Sequence, residues 1–234
     1  MILGDIKIEL IQKGIKNVHL SILPPNGKVR IAAPAHLSEE TIRLYAISKL
    51  SWIKKQQHKI RSQERESKRE FINKETHYFQ GRKYLLRVIE ANEPARVFLN
   101  KKFLELHVRP KTDTARRQAL LNSWYRDQLK DLVAGYITKW EQIIPVKVRD
   151  FGIRRMKTKW GTCNIEAGRI WINLELAKKP LQCLEYIVVH EMIHLLERKH
   201  NERFLAYQTR YMPRWKSYRE ELNRLPVVRE NWKY

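Results

Sequence analysis

Cysteine is nearly absent from this chain: Cys163 and Cys183 are the only two in 234 residues. That excludes a disulfide framework, and no C-x-x-C pair is present to grip a metal. Both thiols are expected to be free and buried, as in a reducing compartment. Long apolar runs are missing too. No stretch reaches the ~18 apolar residues that a spanning helix needs, so no membrane segment is expected. The opening Met1-Ile2-Leu3-Gly4-Asp5-Ile6-Lys7 brings charge before an apolar signal core forms, and a cytoplasmic location is expected. No phosphate loop of the G-x-x-x-x-G-K-S/T type occurs, nor does an evident internal repeat, a low-complexity tract, a zinc finger or a helix-turn-helix. Acidic residues are the last shortage: 25 Asp and Glu stand against 47 Lys and Arg, a net charge of +22. Such a field attracts anions, whether nucleic acid, nucleotides or an acidic surface. A basic coat that serves solubility alone fits the same composition.

What is present argues for a folded protein. Apolar residues make up 43% of the chain and there are seven Trp, material for one large or two small domains. Ile6, Ile8 and Leu10 alternate with charge, Val18, Leu20 and Ile22 repeat the pattern, and Pro24-Pro25-Asn26-Gly27 turns into Val29 and Ile31. These read as a small antiparallel meander. Ser38 with Glu39 and Glu40 reads as a helix start, and over residues 54–70 the pattern fades into charge. Two hairpins follow, around Gln80-Gly81 and around Asn100-Lys101-Lys102.

After Pro110 the composition changes, which sets an expected boundary between residues 1–110, strand-rich with one helix, and residues 111–234. Asp113 or Thr114 caps a long helix with the stripe Leu121, Tyr125, Leu129, Leu132, Tyr136, Trp140. Val146 and Val148 read as a strand and Phe151-Gly152 as a break. Residues 153–158 and 169–173 read as strands around Trp160-Gly161-Thr162-Cys163. Pro180 opens a further helix, Asn201 another, and Trp215, Tyr218, Leu222 and Leu225 mark a last amphipathic one.

The densest chemistry lies at His190-Glu191-Met192-Ile193-His194, with His200 six positions on: H-E-x-x-H-x5-H. On a helix, residues i and i+4 lie one above the other, so His190 and His194 turn two imidazoles toward one point. Catalytic zinc takes imidazole nitrogen at ~2.0–2.1 Å and keeps three protein ligands plus one open position. In this pattern Glu191 is the general base and not a ligand. The five-residue motif also occurs in helices that hold no metal. Here its flanks, from Leu184 through Ile187 and Val188 to Leu196, are apolar on nearly every side, as in a buried helix. His and Glu without partners are costly there. In an unbroken helix His200 would lie on another azimuth, so the chain must turn after residues 196–198. Glu197 is the rival third ligand, but three successive turns of one helix span ~10 Å, too far to surround one ion; His200 is preferred.

Lys159-Trp160-Gly161-Thr162-Cys163, Ile172-Asn173-Leu174, the metal helix, His200 with Phe204, and Met212-Pro213 together resemble the YgjP-like zinc metallohydrolases. These are relatives of the SprT-like metallopeptidases within the zincin superfamily. The resemblance is strongest over residues 146–225. It implies an α+β fold: a strand-rich N-terminal part, then a zincin-like catalytic core. That core would hold a long helix, a small sheet with a substrate-facing edge strand, a metal-binding helix and C-terminal helices. It also implies one Zn²⁺ per chain on His190, His194 and His200, with Glu191 as base toward a metal-activated water. An extended polypeptide substrate would add along the edge strand, near Trp160, Gly161 and Asn173. A second oxyanion donor is expected, with Tyr207, Tyr211 and Arg155 as candidates. Metzincins share the ligand spacing but carry Gly where this chain has Glu197, so the turn before His200 must form without glycine.

Three functions are compatible with these residues. The first is a zinc-dependent metallopeptidase. The second is a metal-dependent hydrolase of nucleoside triphosphates, suggested by the charge. The third is a nucleic-acid-associated protease that binds its polyanion without sequence preference through the basic surface.

Overall fold

The computed structural model describes residues 1–23, 26–62, 65–66, 69–156, 159–225 and 227–228. The Pro24-Pro25 turn, parts of the 54–70 run, Lys157 and Thr158 fall outside these. The chain divides into two compact units, Met1–Lys68 with Pro226–Tyr234, and Arg69–Leu225. The compositional change after Pro110 therefore lies inside the second unit. The chain is mixed α+β throughout.

The first unit runs β1 (Ile2–Leu3), β2 (Ile6–Lys13), β3 (His19–Leu23), β4 (Lys28–Pro34), α1 (Glu39–Ser48), α2 (Leu50–Ser62) and β5 (Arg65–Glu66). Its four-stranded sheet has the order β1-β2-β4-β3. The expected meander is thus corrected: β4 inserts between β2 and β3, parallel to β2. The reason lies in the side chains. Val29, Ile31 and Ala33 of β4 have no exposed surface, so this strand gains most from a central place. The more exposed β3 is left at the edge. Ser38 caps α1 as expected, its hydroxyl accepting from Thr41 N at 3.2 Å. The single expected helix is two, broken at Lys49. Residues 54–62 stay helical because fully buried Ile53 and the Gln57 amide, which donates to Gly27 O at 2.7 Å, anchor them to the sheet.

The second unit opens with β6 (Thr76–Phe79), β7 (Arg82–Glu90), β8 (Arg96–Asn100) and β9 (Phe103–Val108). The two expected hairpins form and join through a parallel β7–β9 pair, in the order β6-β7-β9-β8. Pairing and directions repeat those of β1–β4, and each sheet is followed by a helix with a Ser or Asp cap. The repeat is one of topology, with little shared sequence to betray it.

Next come α3 (Thr114–Glu141), β10 (Asp150–Arg154), β11 (Gly161–Asn164), β12 (Arg169–Asn173), a 3-10 turn (Leu174–Lys178), α4 (Leu181–Ile193), α5 (Glu202–Tyr211) and α6 (Trp215–Arg224). The closing β13 (Val227–Val228) returns to the first unit, parallel to β5. Asp113 caps α3 through Arg116 N at 2.7 Å. The buried stripe is Leu121, Tyr125, Leu129, Val133, Ile137, Trp140. It steps by four to residue 137, so Leu132 and Tyr136 lie at its margin and not on its crest. Val146 and Val148 are not a strand; the Glu141 carboxylate takes the Val148 N–H that a sheet would have used. Phe151 and Gly152 belong to β10, where a Cβ on Gly152 would enter the Trp171 ring. β10 runs parallel and β11 antiparallel to the central β12, leaving β11 at the sheet's edge. One apolar cluster unites β6–β9, α3, the β10–β12 sheet and α4 to α6.

Candidate metal centre

Helix α4 is the axis of the second unit. Cys183, Leu184, Ile187, Val188, Val189, Met192 and Ile193 bury it on almost every side, as its all-round apolar pattern requires. His190 lies in its last turn. His194 is its C-cap, still helical at φ −62° and ψ −18°, so the two imidazoles share one face. The helix then ends in tight bonds from Leu195 N to Met192 O and from Leu196 N to Ile193 O. Asn201 starts α5, its side chain accepting from Phe204 N at 3.0 Å. This reversal returns His200 to the other two histidines. Phe204 backs all three, with ring centroids 4.9, 4.7 and 4.7 Å from those of His190, His194 and His200.

One ring nitrogen from each histidine lies within 4.8 Å of the others, and the Nε2 atoms of His190 and His200 are 3.0 Å apart. His194 Nδ1 lies 3.1 Å from Glu197 O, so a proton there is donated to that carbonyl and Nε2 is left as the lone-pair donor. Glu197 therefore contributes its backbone. Its carboxylate accepts from Lys199 N at 3.2 Å and lies outside the donor cluster. Three nitrogen donors converging from a rigid helix and one reversal suit a tetrahedral ion with a position left for water. Burial, with His194 and His200 close by, pushes His190 down to about 3. His194 is lowered as well, first by burial. Both rings are thereby kept neutral, the form that binds a metal.

Glu191, the next residue of α4, turns toward β11. Only 5% of it is exposed, and burial pushes its carboxyl up to about 8 while Lys159 pulls the other way. It packs under β11, where a Cβ on Gly161 would stand 2.5 Å from its Oε1. His190, Glu191, His194 and His200 open into one cleft of about 1130 Å³ whose wall includes Trp160 and Gly161. Asn173 does not line it. Its Oδ1 accepts from Met156 N (3.3 Å) and Glu175 N (3.2 Å), and its Nδ2 donates to Met156 O (2.9 Å) and Lys159 O (2.7 Å). The amide is spent on the loop that leads to Trp160.

Tyr207, Tyr211 and Arg155 do not line the cleft either. Tyr207 accepts from the Arg203 guanidinium at 3.2 Å and stacks on Tyr211, and Arg155 reaches Glu175 at 3.8 Å. The cleft wall carries Tyr186 and Arg219 in their place. Tyr186 was legible in principle, one turn before His190 on the same face of α4. Arg219 was not, since only the packing of α6 on α4 brings it there. Cys163, half-buried on β11, also lines the wall, and burial beside Glu191 pushes its thiol up to about 11. Both thiols are free as expected, but only Cys183 is buried. No helix among the described residues is long and apolar enough to cross a membrane.

A family model described as the YgjP-like metallopeptidase domain matches residues 16–225. No curated protein matches the chain.

Proposed function

The chain belongs to the YgjP-like metallopeptidase family, and from that premise we propose that it is a zinc-dependent peptidase whose site is built on α4. The observation that carries the reading is the convergence of three imidazole donors beside a buried carboxylate, at the floor of a cleft under an edge strand. His190, His194 and His200 would hold one Zn²⁺. When bound, the ion would supply the Lewis acidity that polarises a scissile carbonyl and acidifies the attacking water.

The rest falls to the chain's own groups. Glu191, whose enclosure raises its affinity for a proton, would in its ionised form, which a cation at the histidines would favour, take the water's proton and return it to the leaving amine. β11 ends its sheet, so its outer edge offers backbone N–H and C=O groups to an extended polypeptide by strand addition. Trp160 and Gly161 stand at the start of that edge. Lys159, Tyr186 and Arg219 supply hydrogen-bond donors in the cleft wall for the developing oxyanion.

The test is zinc-loaded protein against unfolded polypeptide, beside its Glu191→Gln variant. The variant should keep its zinc while hydrolysis falls by roughly 10²–10⁴-fold, the scale for loss of a general base. Loss of zinc along with activity would refute the role given to Glu191. A second reading has one observation in its favour: Lys159, Arg198 and Arg219 make the cleft wall cationic, as a polyphosphate would require. Phosphate or pyrophosphate release from a nucleoside triphosphate, with no polypeptide cleaved, would replace the peptidase reading with this one.

A further inference from the structure

Gln208 is a residue the proposed chemistry leaves unused. It sits on α5 with no exposed surface, and neither its Oε1 nor its Nε2 has a hydrogen-bond partner among the described residues. Buried amides without partners are rare in native folds, because the lost hydration is not replaced. Another orphan of the same kind belongs to a residue of the metal centre: Nδ1 of His190. The two belong together. Phe204, one turn before Gln208 on the same face of α5, packs its ring against that of His190 at 4.9 Å. His190 directs Nε2 toward His200, so its Nδ1 points back into the protein, away from the donor cluster.

We infer that Gln208 is the positioning residue for His190: its Oε1 accepts the Nδ1–H of the ring, fixing the tautomer that presents Nε2 to the metal. This rests on the metal-centre reading above. It gives His190 what Glu197 O gives His194, an acceptor behind the ring. In this structure neither group makes a hydrogen bond. A cation held at Nε2 would favour this bond by acidifying Nδ1–H.

The experiment compares zinc affinity, by chelator competition, in the wild-type protein and in Gln208→Leu, Gln208→Asn and Gln208→Glu. Leu matches the volume without an acceptor, Asn keeps an amide too short to reach, and Glu restores an acceptor. Affinity should fall about 10–100-fold in the Leu and Asn variants, the scale for losing such a partner, and stay within a few-fold of wild type in Glu. In nitrogen-detected NMR of the zinc-loaded proteins, a slowly exchanging His190 Nδ1–H should be present in the wild type and in Gln208→Glu and absent from the other two. A wild type that holds no zinc would sink the metal-centre reading, and this role with it. A folded Gln208→Leu or Gln208→Asn protein with wild-type affinity and the Nδ1–H signal intact would overturn the role of Gln208 alone. Should Gln208→Leu fail to fold, Gln208→Asn and the NMR signal decide.

Discussion

A hydrogen at the α-carbon of residue 161 is what leaves room for the Glu191 carboxylate. A Cβ there would lie 2.5 Å from Oε1 and 2.7 Å from Cγ, so in Gly161→Ala either the carboxylate or the edge strand must move. Displacements near 1 Å in an active site cost about 10²-fold in rate. Gly161→Ala is therefore expected to lose turnover on that order while binding as much zinc as the wild type; metal content and kcat measured on one preparation check it, and normal turnover would show that the strand gives way freely. At this scale the sequence was informative about the three histidines that converge and poor about their neighbours. The i, i+4 spacing already turns His190 and His194 together, and the apolar flanks already place their helix in the core. Gly161 was picked out by its motif, but its contact with Glu191 depends on β11 lying across α4. Gln208 carried no mark at all: a lone glutamine in an amphipathic helix reads as surface until its burial is known.

At the scale of elements, what reads locally was legible and what depends on partners was not. Caps at Ser38, Asp113 and Asn201 are local hydrogen bonds and fall where their residue types place them. Strand order is a global choice. The insertion of β4 between β2 and β3 follows from which strand is most apolar overall, which pairwise alternation does not disclose. Nor does alternation identify β11, whose four residues read as a connecting loop until β12 pairs with them. The loop before β11 depends on Asn173, which joins Met156, Lys159 and Glu175 through four hydrogen bonds. Asn173→Ala leaves backbone groups there to find water or go unpaired, a loss of about 1–3 kcal/mol. The expected outcome is a melting midpoint lower by several degrees and faster proteolysis beside Met156 and Lys159. A variant that melts and resists cleavage like the wild type would show that the loop holds itself.

For the whole molecule the dominant fact is charge. Lys and Arg exceed Asp and Glu by 22, a positive charge that the chain's own acids cannot neutralise whatever the fold does. Some of the basic residues are neutralised locally: Arg117 meets Glu90 at 3.1 Å and Arg169 meets Asp150 at 2.6 Å. Others have aromatic company, as Arg154 does over Trp171 at 4.8 Å. Helix α2 carries Lys54, Lys55, Lys59 and Arg61 with no acid, and Trp52 on the same helix is 44% exposed. Lys159, Arg198 and Arg219 line the cleft. A surface of this kind takes up polyanions by releasing their counterions, so log affinity falls linearly with log salt, with a slope set by the number of phosphates neutralised. Base readout needs an element that enters a groove with side chains shaped to base edges, and no motif of that type occurs in the sequence. The expected result, from titrating a labelled single strand and a duplex of two unrelated sequences at two salt concentrations, is binding at low salt that weakens steeply as salt rises. Affinity should differ little between the sequences. Charge reversal at Lys54, Lys55 and Arg61 should flatten the salt dependence if α2 contributes. If neither nucleic acid binds at low salt, the excess charge serves solubility, and the nucleic-acid-associated reading goes with it.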